Sequence, residues 1–336
     1  MTDSFTFLVI TFIILLGFEA VNGWTDAPNA IATVVSTRVL SPIAAVAMAA
    51  SFNLVGALSG TAVATTIGRD IVDLDQFSVA SGLEVMAAAG LAVIIWSTFA
   101  WYFGLPTSES HGIVSGLAGA AMAVAGTDVL LWDGWQKVFQ GVGLAVTVGF
   151  AGGFLAMILI LRLVQRLSPA ATRRLFSPLQ IASAAFMAWG HGTADGQKAI
   201  GVMAASIAIY EGTGTEGFEV PLWIILLAAS TMAVSTALGG WRIIRTLGMR
   251  LTHLEPVHGF AAEATAAATL AVTSRLGIPL STTHTIGSSI MGVGASKRLS
   301  AVRWGVGSNI VGAWILTFPI CFGLGWGIAE LIGLLP

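Results

Sequence analysis

Ten apolar stretches recur along the 336 residues, near 5–36, 42–67, 82–103, 104–124, 138–161, 179–209, 221–240, 257–275, 277–295 and 302–333. Most reach the roughly 20 residues that cross about 30 Å of hydrocarbon as a helix. Charged residues make up only 10% of the chain and hydrophobic ones 56%, whereas a soluble domain carries about 25% charged. Too few charges remain to cover a soluble surface, so the pattern predicts an all-α polytopic membrane protein with about ten to twelve membrane segments. Several stretches exceed the required length, which predicts broken or tilted helices among them. The formal net charge of −2 leaves no basic footprint for nucleic acid. The single cysteine, Cys321, excludes a disulfide framework and a cysteine metal site. No Lys or Arg precedes the first apolar stretch, so it reads as a retained membrane segment rather than a secretory signal. Polar residues from Asn22 to Asp26 interrupt it.

Charge between the stretches orients the chain. Arg162, Arg166, Arg173 and Arg174 fall in one connection, Arg242, Arg245 and Arg250 in a second, and Lys297, Arg298 and Arg303 in a third. Acids gather elsewhere, at Asp70, Asp73 and Asp75 and at Glu211, Glu216 and Glu219. Lys and Arg mark the cytoplasmic side, which predicts basic connections inside, acidic ones outside and both termini outside. The division expected is a first repeat over 1–161, a basic cytoplasmic linker over 162–178 and a second repeat over 179–336.

The repeat is visible in the residues. Gly104-Leu-Pro-Thr-Ser-Glu-Ser-His111-Gly-Ile returns as Gly277-Ile-Pro-Leu-Ser-Thr-Thr-His284-Thr-Ile, and Asp26-Ala-Pro-Asn29-Ala-Ile returns as Asp195-Gly-Gln-Lys198-Ala-Ile. Glu84 ahead of Leu91-Ala-Val93 is echoed by Glu263 ahead of Leu270-Ala-Val272. Each half holds about five stretches, an odd number, so the second copy is expected to be inverted. Inverted repeats with broken helices are a common architecture of secondary transporters, whose site lies at the midplane between copies.

The chemistry is expected at those matched motifs. Proline after glycine ends one helix and opens another, leaving free N–H groups at a positive dipole end. Thr107, Ser108 and Ser110 in one copy, and Ser281, Thr282 and Thr283 in the other, add hydroxyls. Two such N-termini facing each other would hold an oxyanion, while hydroxyls that merely cap or pack helices are the commoner alternative. Asp26 and Asp195 lie inside apolar segments, where an unpaired carboxylate costs several kcal/mol. Na⁺ or H⁺ is the expected partner, with Na⁺ possible at both aspartates and amides added from Asn29 and Gln197. Lys198 beside Asp195 offers an ion pair as the alternative. Glu263 stands at the start of an apolar run with no basic residue within a helical turn. His111, His191 and His284 read equally as packing or as titrating groups.

These residues resemble the inorganic phosphate transporter (PiT) family. The block Asn22-Gly-Trp-Thr-Asp26-Ala-Pro-Asn29-Ala is similar to that family's first signature, and Gly190-His-Gly-Thr-Ala-Asp195-Gly-Gln-Lys198 to its second. The Pro-Thr-Ser-Glu-Ser-His and Pro-Leu-Ser-Thr-Thr-His segments and Gly259-Phe260-Ala-Ala-Glu263 complete the set, over nearly the whole chain. The resemblance implies phosphate import by symport with Na⁺ or H⁺, in a homodimer-forming, inverted-repeat fold with two re-entrant hairpins. It implies cation and substrate coordination by Asp26, Asn29, Asp195, Gln197 and Glu263, and anion binding by the hairpin hydroxyls. It places the protein in the cytoplasmic membrane of a bacterium or archaeon, with no resident cofactor. Three positions depart from the pattern. Ala194 replaces the asparagine before the second aspartate, Thr25 stands before Asp26, and Glu109 replaces a hairpin serine. Glu109 is expected to point away from an anion or to bind a cation.

The leading expectation is therefore a secondary phosphate symporter working by alternating access. A sulfate permease on the same fold is the nearest alternative. No His-Glu-x-x-His spacing supports an intramembrane metal hydrolase, so an enzyme is not expected.

Overall fold

The computed structural model describes residues 4–334 and is all-helical, with no strand among the described residues beyond one isolated bridge, Val72 to Leu130. The first half runs α1 (Ser4–Ser36), α2 (Pro42–Ala57), α3 (Ala62–Arg69), α4 (Val79–Tyr102), α5 (Glu109–Ala125) and α6 (Trp132–Val164). The second runs α7 (Pro169–Glu211), α8 (Leu222–Thr236), α9 (Trp241–Arg245), α10 (Pro256–Arg275), α11 (Thr282–Lys297) and α12 (Trp304–Gly333). A π-helical turn, Thr246–Arg250, extends α9. The succession is the same in each half: a long helix, a bent pair, a long helix, a shorter one after a glycine turn, and a long helix. The bends are 70° between α2 and α3, and 60° between α8 and the Trp241–Arg250 segment.

Length and apolarity qualify α1, α4, α6 and α12 to cross a membrane, or up to six crossings if each bent pair counts as one. That is fewer than the ten to twelve expected from sequence. Two of the missing ones are short, α5 at 17 residues and α11 at 16, against about 20 for a full crossing. Polar residues interrupt α7 at His191, Asp195 and Lys198.

The two motif helices are not broken, contrary to expectation. α1 continues through Asn22–Asn29 with Pro28 inside it, and α7 is one helix of 43 residues through its own motif. Proline removes the N–H that would reach the carbonyl four residues earlier. Here that carbonyl, of Trp24, lies against Gly240, where a Cβ would sit 2.4 Å from the oxygen. The backbone of the other half thus closes over the defect. The basic stretch 162–178 is also largely helical: α6 ends at Val164, and α7 starts at Pro169 behind the N-cap Ser168, whose hydroxyl accepts from Ala171 N at 3.2 Å.

Helices of one half pack mainly on the other. α7 lies on α2 and α3, and α1 on α8 and α9; α5 lies on α12, and α11 on α6. Small residues permit the close approach, as where a Cβ on Gly192 would meet Asn53 O at 2.2 Å. The charged connections sort to opposite ends. One cavity is lined by Leu161, Arg173, Glu255, His258 and Lys297 together, and Arg303 N donates to Leu251 O, so the three basic segments share an end. At the other end Thr215 N donates to Asp75 Oδ1, joining the two acidic segments. Two separate apolar clusters fill the core. One holds Leu15, Phe18, Ile67, Val129, Ala199 and Ile200; the other holds Ala30, Ile31, Met187, Ala188, Leu251 and Val257. The polar stretches Glu19–Asn29 of α1 and His191–Lys198 of α7 lie between them.

Candidate functional site

The buried polar layer contains four carboxylates, Glu19, Asp26, Glu109 and Asp195, and one ammonium, Lys198, each no more than 2% exposed. Helix periodicity builds it. His191, Asp195 and Lys198 stand at i, i+4 and i+7 on one face of α7. Glu19, Asn22, Asp26 and Asn29 do the same on α1. The first turn of α11 brings its hydroxyls to both faces, and the first turn of α5 brings Glu109 to the α1 face.

The centre is the Thr282–Thr283 pair at the start of α11. Thr282 Oγ1 donates to Asp195 Oδ2 at 2.7 Å, and Thr283 Oγ1 donates to Asp26 Oδ1 at 3.0 Å. Asn29 Nδ2 donates to both hydroxyl oxygens, at 3.1 and 2.9 Å. Adjacent residues at the start of one helix therefore bond the aspartates of both halves. Asp195 also pairs with Lys198 Nζ at 2.6 Å and His191 Nε2 at 3.2 Å. Asn53 Oδ1 lies 3.0 Å from His191 Nδ1 and orients the ring. Asn22 Nδ2 donates to Glu19 Oε2 at 3.2 Å and to Asp195 O at 3.4 Å.

Asp26, His191 and Asp195 each offer a ligand atom within 4.8 Å of the others, a spacing that could hold a cation. Asp26 Oδ2, Asn29 Oδ1, Asn22 Oδ1 and Glu19 Oε1 are buried oxygens with no hydrogen-bond partner. Buried polar atoms without partners are costly, and a set of bare oxygens is what a hard cation binds.

The remaining sequence candidates separate. Ser110 Oγ donates to Leu280 O at 3.3 Å, tying the start of α5 to the turn before α11. Ser108 and Ser281 are N-caps, accepting from His111 N at 3.3 Å and His284 N at 3.2 Å, the local capping role that serine favours. Thr107 is buried beside them. Gln197 does not join the cluster: its Oε1 accepts from Val63 N at 2.8 Å and Ala64 N at 3.2 Å, capping α3. Glu263 lies in a second polar nest, where its carboxylate accepts from Thr33 Oγ1 and from Ser183 Oγ, the latter at 2.5 Å. Glu109 does not point away. It is buried, and Thr25 Oγ1 donates to its Oε1 at 2.8 Å, so two of the three departures from the family pattern touch each other. Sequence reasoning overlooked Glu19 and Asn53; the first was legible as an intramembrane carboxylate three residues before Asn22, whereas Asn53 is a lone amide in an apolar helix and gave no signal.

Each glycine turn ahead of α5 and α11 is held by the other half through a matched contact. Thr246 Oγ1 donates to Gly104 O at 2.8 Å, and Thr66 Oγ1 donates to Gly277 O at 2.8 Å. Both glycines have positive φ, 69° and 65°, which disfavours any side chain there.

A profile described as "Phosphate transporter family" matches residues 22–325. The chain is 39% identical over 321 residues, 95% of this chain and 96% of the relative, to a Bacillus subtilis protein named "Probable low-affinity inorganic phosphate transporter". It is 41% identical over 319 residues to a protein of the same name from Rhizobium meliloti, covering 95% and 94% of the two chains. A solved structure titled "The sodium-dependent phosphate transporter" shares the fold, with a TM-score of 0.83 at 22% identity, covering 98% of this chain and all of that one. With the matched motifs gathered into one buried layer and these relatives aligned along nearly its full length, the chain belongs to the phosphate transporter family.

Proposed function

We propose that this protein imports inorganic phosphate by symport with Na⁺, through alternating access of two inverted repeats around the polar layer. One observation carries the reading: Thr282 and Thr283 bond the aspartates of opposite halves, so whatever is held there senses both. Four buried carboxylates surround one ammonium, so a phosphate dianion would enter a layer already rich in acids, and cations entering with it would offset its charge. The bare amide oxygens Asn22 Oδ1 and Asn29 Oδ1 favour Na⁺ over H⁺, since an amide oxygen can ligate sodium but is too weak a base to carry a proton. The neighbour's name, sodium-dependent, supports the same choice. Phosphate would be held by the Lys198 ammonium, Asn29 Nδ2, the Thr282 and Thr283 hydroxyls and the N–H groups of the α5 and α11 first turns. Asp26 and Asp195 would share the sodium. The Glu263 nest, with Thr33 and Ser183, would supply a second cation-sensitive position.

The inverted arrangement is supported by the opposite courses of matched helices. α6 starts beside Asp70 at the acidic end and finishes at the basic one, while its counterpart α12 starts after Arg303 and finishes against Glu84. The central residues are closed to solvent on both sides, as an occluded stage of alternating access requires. Basic connections would face the cytoplasm.

Labelled phosphate uptake into proteoliposomes tests the proposal, with an imposed Na⁺ gradient in one arm and an imposed H⁺ gradient in the other. Concentrative uptake in the Na⁺ arm supports it. Uptake in the H⁺ arm alone replaces the coupling ion. Efficient competition by sulfate would overturn the choice of anion.

A further inference from the structure

A cavity rich in arginine lies at the basic end, beside the turn that precedes α5. Its volume is about 370 Å³, and it is lined by Tyr102, Phe103, Gly104 and Trp241 and by three arginines, Arg242, Arg245 and Arg250, with no acidic residue in its wall. Among the described residues, none of these arginines lies within ion-pair distance of a carboxylate. Arg242 is nevertheless fixed: its guanidinium donates to Tyr102 O and stacks over the Trp101 and Tyr102 rings at 5.4 and 4.7 Å. Arg245 and Arg250 are exposed, at adjacent turns of the same segment.

A cavity at the acidic end is built differently. It is larger, about 900 Å³, and its cations are already engaged. Arg69 and Lys137 both pair with Asp70, at 3.0 and 2.9 Å, and Asp133 lines the same wall. Of these two openings, only the basic one has its cationic side chains without countercharge. Guanidinium groups bind phosphate oxygens in pairs of parallel hydrogen bonds, and uncompensated positive charge in a concave site raises the local concentration of anions.

We propose that Arg245 and Arg250 form a binding site for a phosphate group, positioned by Arg242. The proposal rests on the phosphate-transport reading only where the ligand is free phosphate in transit. Gly104 stands four residues before Ser108, the N-cap of α5, and its carbonyl is bonded by Thr246 on the same segment that carries the arginines. An anion seated here lies at the mouth of the hairpin leading to the polar layer. The aromatic rim formed by Tyr102, Phe103 and Trp241 has the character of a membrane interface, so an anionic phospholipid headgroup is the other source of the same chemistry.

The test labels a Phe103→Cys variant with an environment-sensitive fluorophore; Phe103 lines the cavity and is exposed, whereas the native Cys321 is buried. The full-length protein in detergent is titrated at fixed ionic strength with inorganic phosphate, and separately with short-chain phosphatidylglycerol against phosphatidylcholine. A saturable response to phosphate, weakened about tenfold or more by Arg245→Gln with Arg250→Gln, supports a transit site. A saturable response to phosphatidylglycerol and not phosphatidylcholine, weakened likewise, supports a headgroup site. The Arg245→Lys with Arg250→Lys pair keeps the charge and loses the paired geometry, so it should weaken binding less than the glutamines do. No saturable response to either ligand, or one that the glutamine variants leave unchanged, overturns the proposal. Phosphate uptake measured on the same preparations separates the two readings: normal uptake with a silent cavity sinks this site alone, and a responding cavity without uptake sinks the transport reading alone.

Discussion

Asp26 and Asp195 hold matched places in the two halves, yet their surroundings are opposite in kind. Asp195 is surrounded by permanent partners: Lys198 at 2.6 Å, His191 at 3.2 Å and Thr282 at 2.7 Å. Asp26 accepts one hydrogen bond, from Thr283, and keeps a bare Oδ2. Its helix neighbour Thr25 binds another acid, Glu109, rather than a cation. The second half carries its own countercharge in Lys198, and the first half has none within ion-pair distance of Asp26 among the described residues. In the proposed symport, Asp195 would keep Lys198 as a standing partner while it shares the sodium, and Asp26 would depend on that mobile cation alone.

The largest test of this contrast is Asp26→Asn. It should reduce Na⁺-driven phosphate uptake at least about a hundredfold, since it removes the exchangeable carboxylate, while thermal stability holds or rises because a buried carboxylate oxygen without a partner has gone. Wild-type uptake in this variant would end the contrast.

At the matched site the stability effect should have the other sign. Lys198→Met leaves Asp195 buried without its cation and should destabilise the protein by about 3–5 kcal/mol. Adding Asp195→Asn should restore most of that stability without restoring uptake, as thermal unfolding in detergent would report. If Lys198→Met alone unfolds no earlier than wild type, the ion pair is not the permanent partner described here.

Much of this contrast was written in the sequence, and its missing parts have a physical reason. Apolar runs give the helical class, because burial in lipid forces that pattern on any such chain, and the sorting of arginines and acids gives the two charged ends of the molecule. The motif residues Asp26, Asn29, Asp195, Thr282 and Thr283 also came together as the matched motifs suggested. What was not legible was tertiary. Pro28 reads as a break because its local effect is to remove a donor, and only the approach of Gly240 from the other half shows why the helix survives. Gln197 reads as a ligand by its neighbourhood, but on a helix two residues from Asp195 it faces another way, toward α3. Glu109 seemed hostile to an anion in one dimension; its partner Thr25 is 84 residues distant in sequence.

That contact gives a smaller test. Thr25→Val removes one hydrogen bond, worth about 1 kcal/mol, from the carboxylate beside the cation-exchanging aspartate. The Na⁺ concentration for half-maximal uptake should move about fivefold, with the maximal rate little changed. A cysteine-free readout by uptake at several Na⁺ concentrations would suffice. Ala194→Thr, the matched change in the other half, should leave the Na⁺ dependence where it is; equal shifts in both variants would erase the asymmetry.

The finest test uses the feature that the two halves share. Thr66 and Thr246 each bond the carbonyl of a hairpin glycine across the repeat boundary, one near the acidic end and one at the basic end, both at 2.8 Å. If alternating access opens one turn at a time, each bond is broken in one state and kept in the other. Valine at either position keeps the shape and removes the donor, so each variant should shift the balance of states by about 1 kcal/mol, roughly fivefold, in opposite directions. Thr66→Val should raise access to the site from the acidic side and Thr246→Val from the basic side. A cysteine placed at Ser110, between the hairpins, would report this through its rate of alkylation by a membrane-impermeant reagent added to one side of the vesicle. Parallel changes in both variants would mean that the threonines only hold the fold, whereas opposite changes would show that the halves differ in charge and agree in how they open.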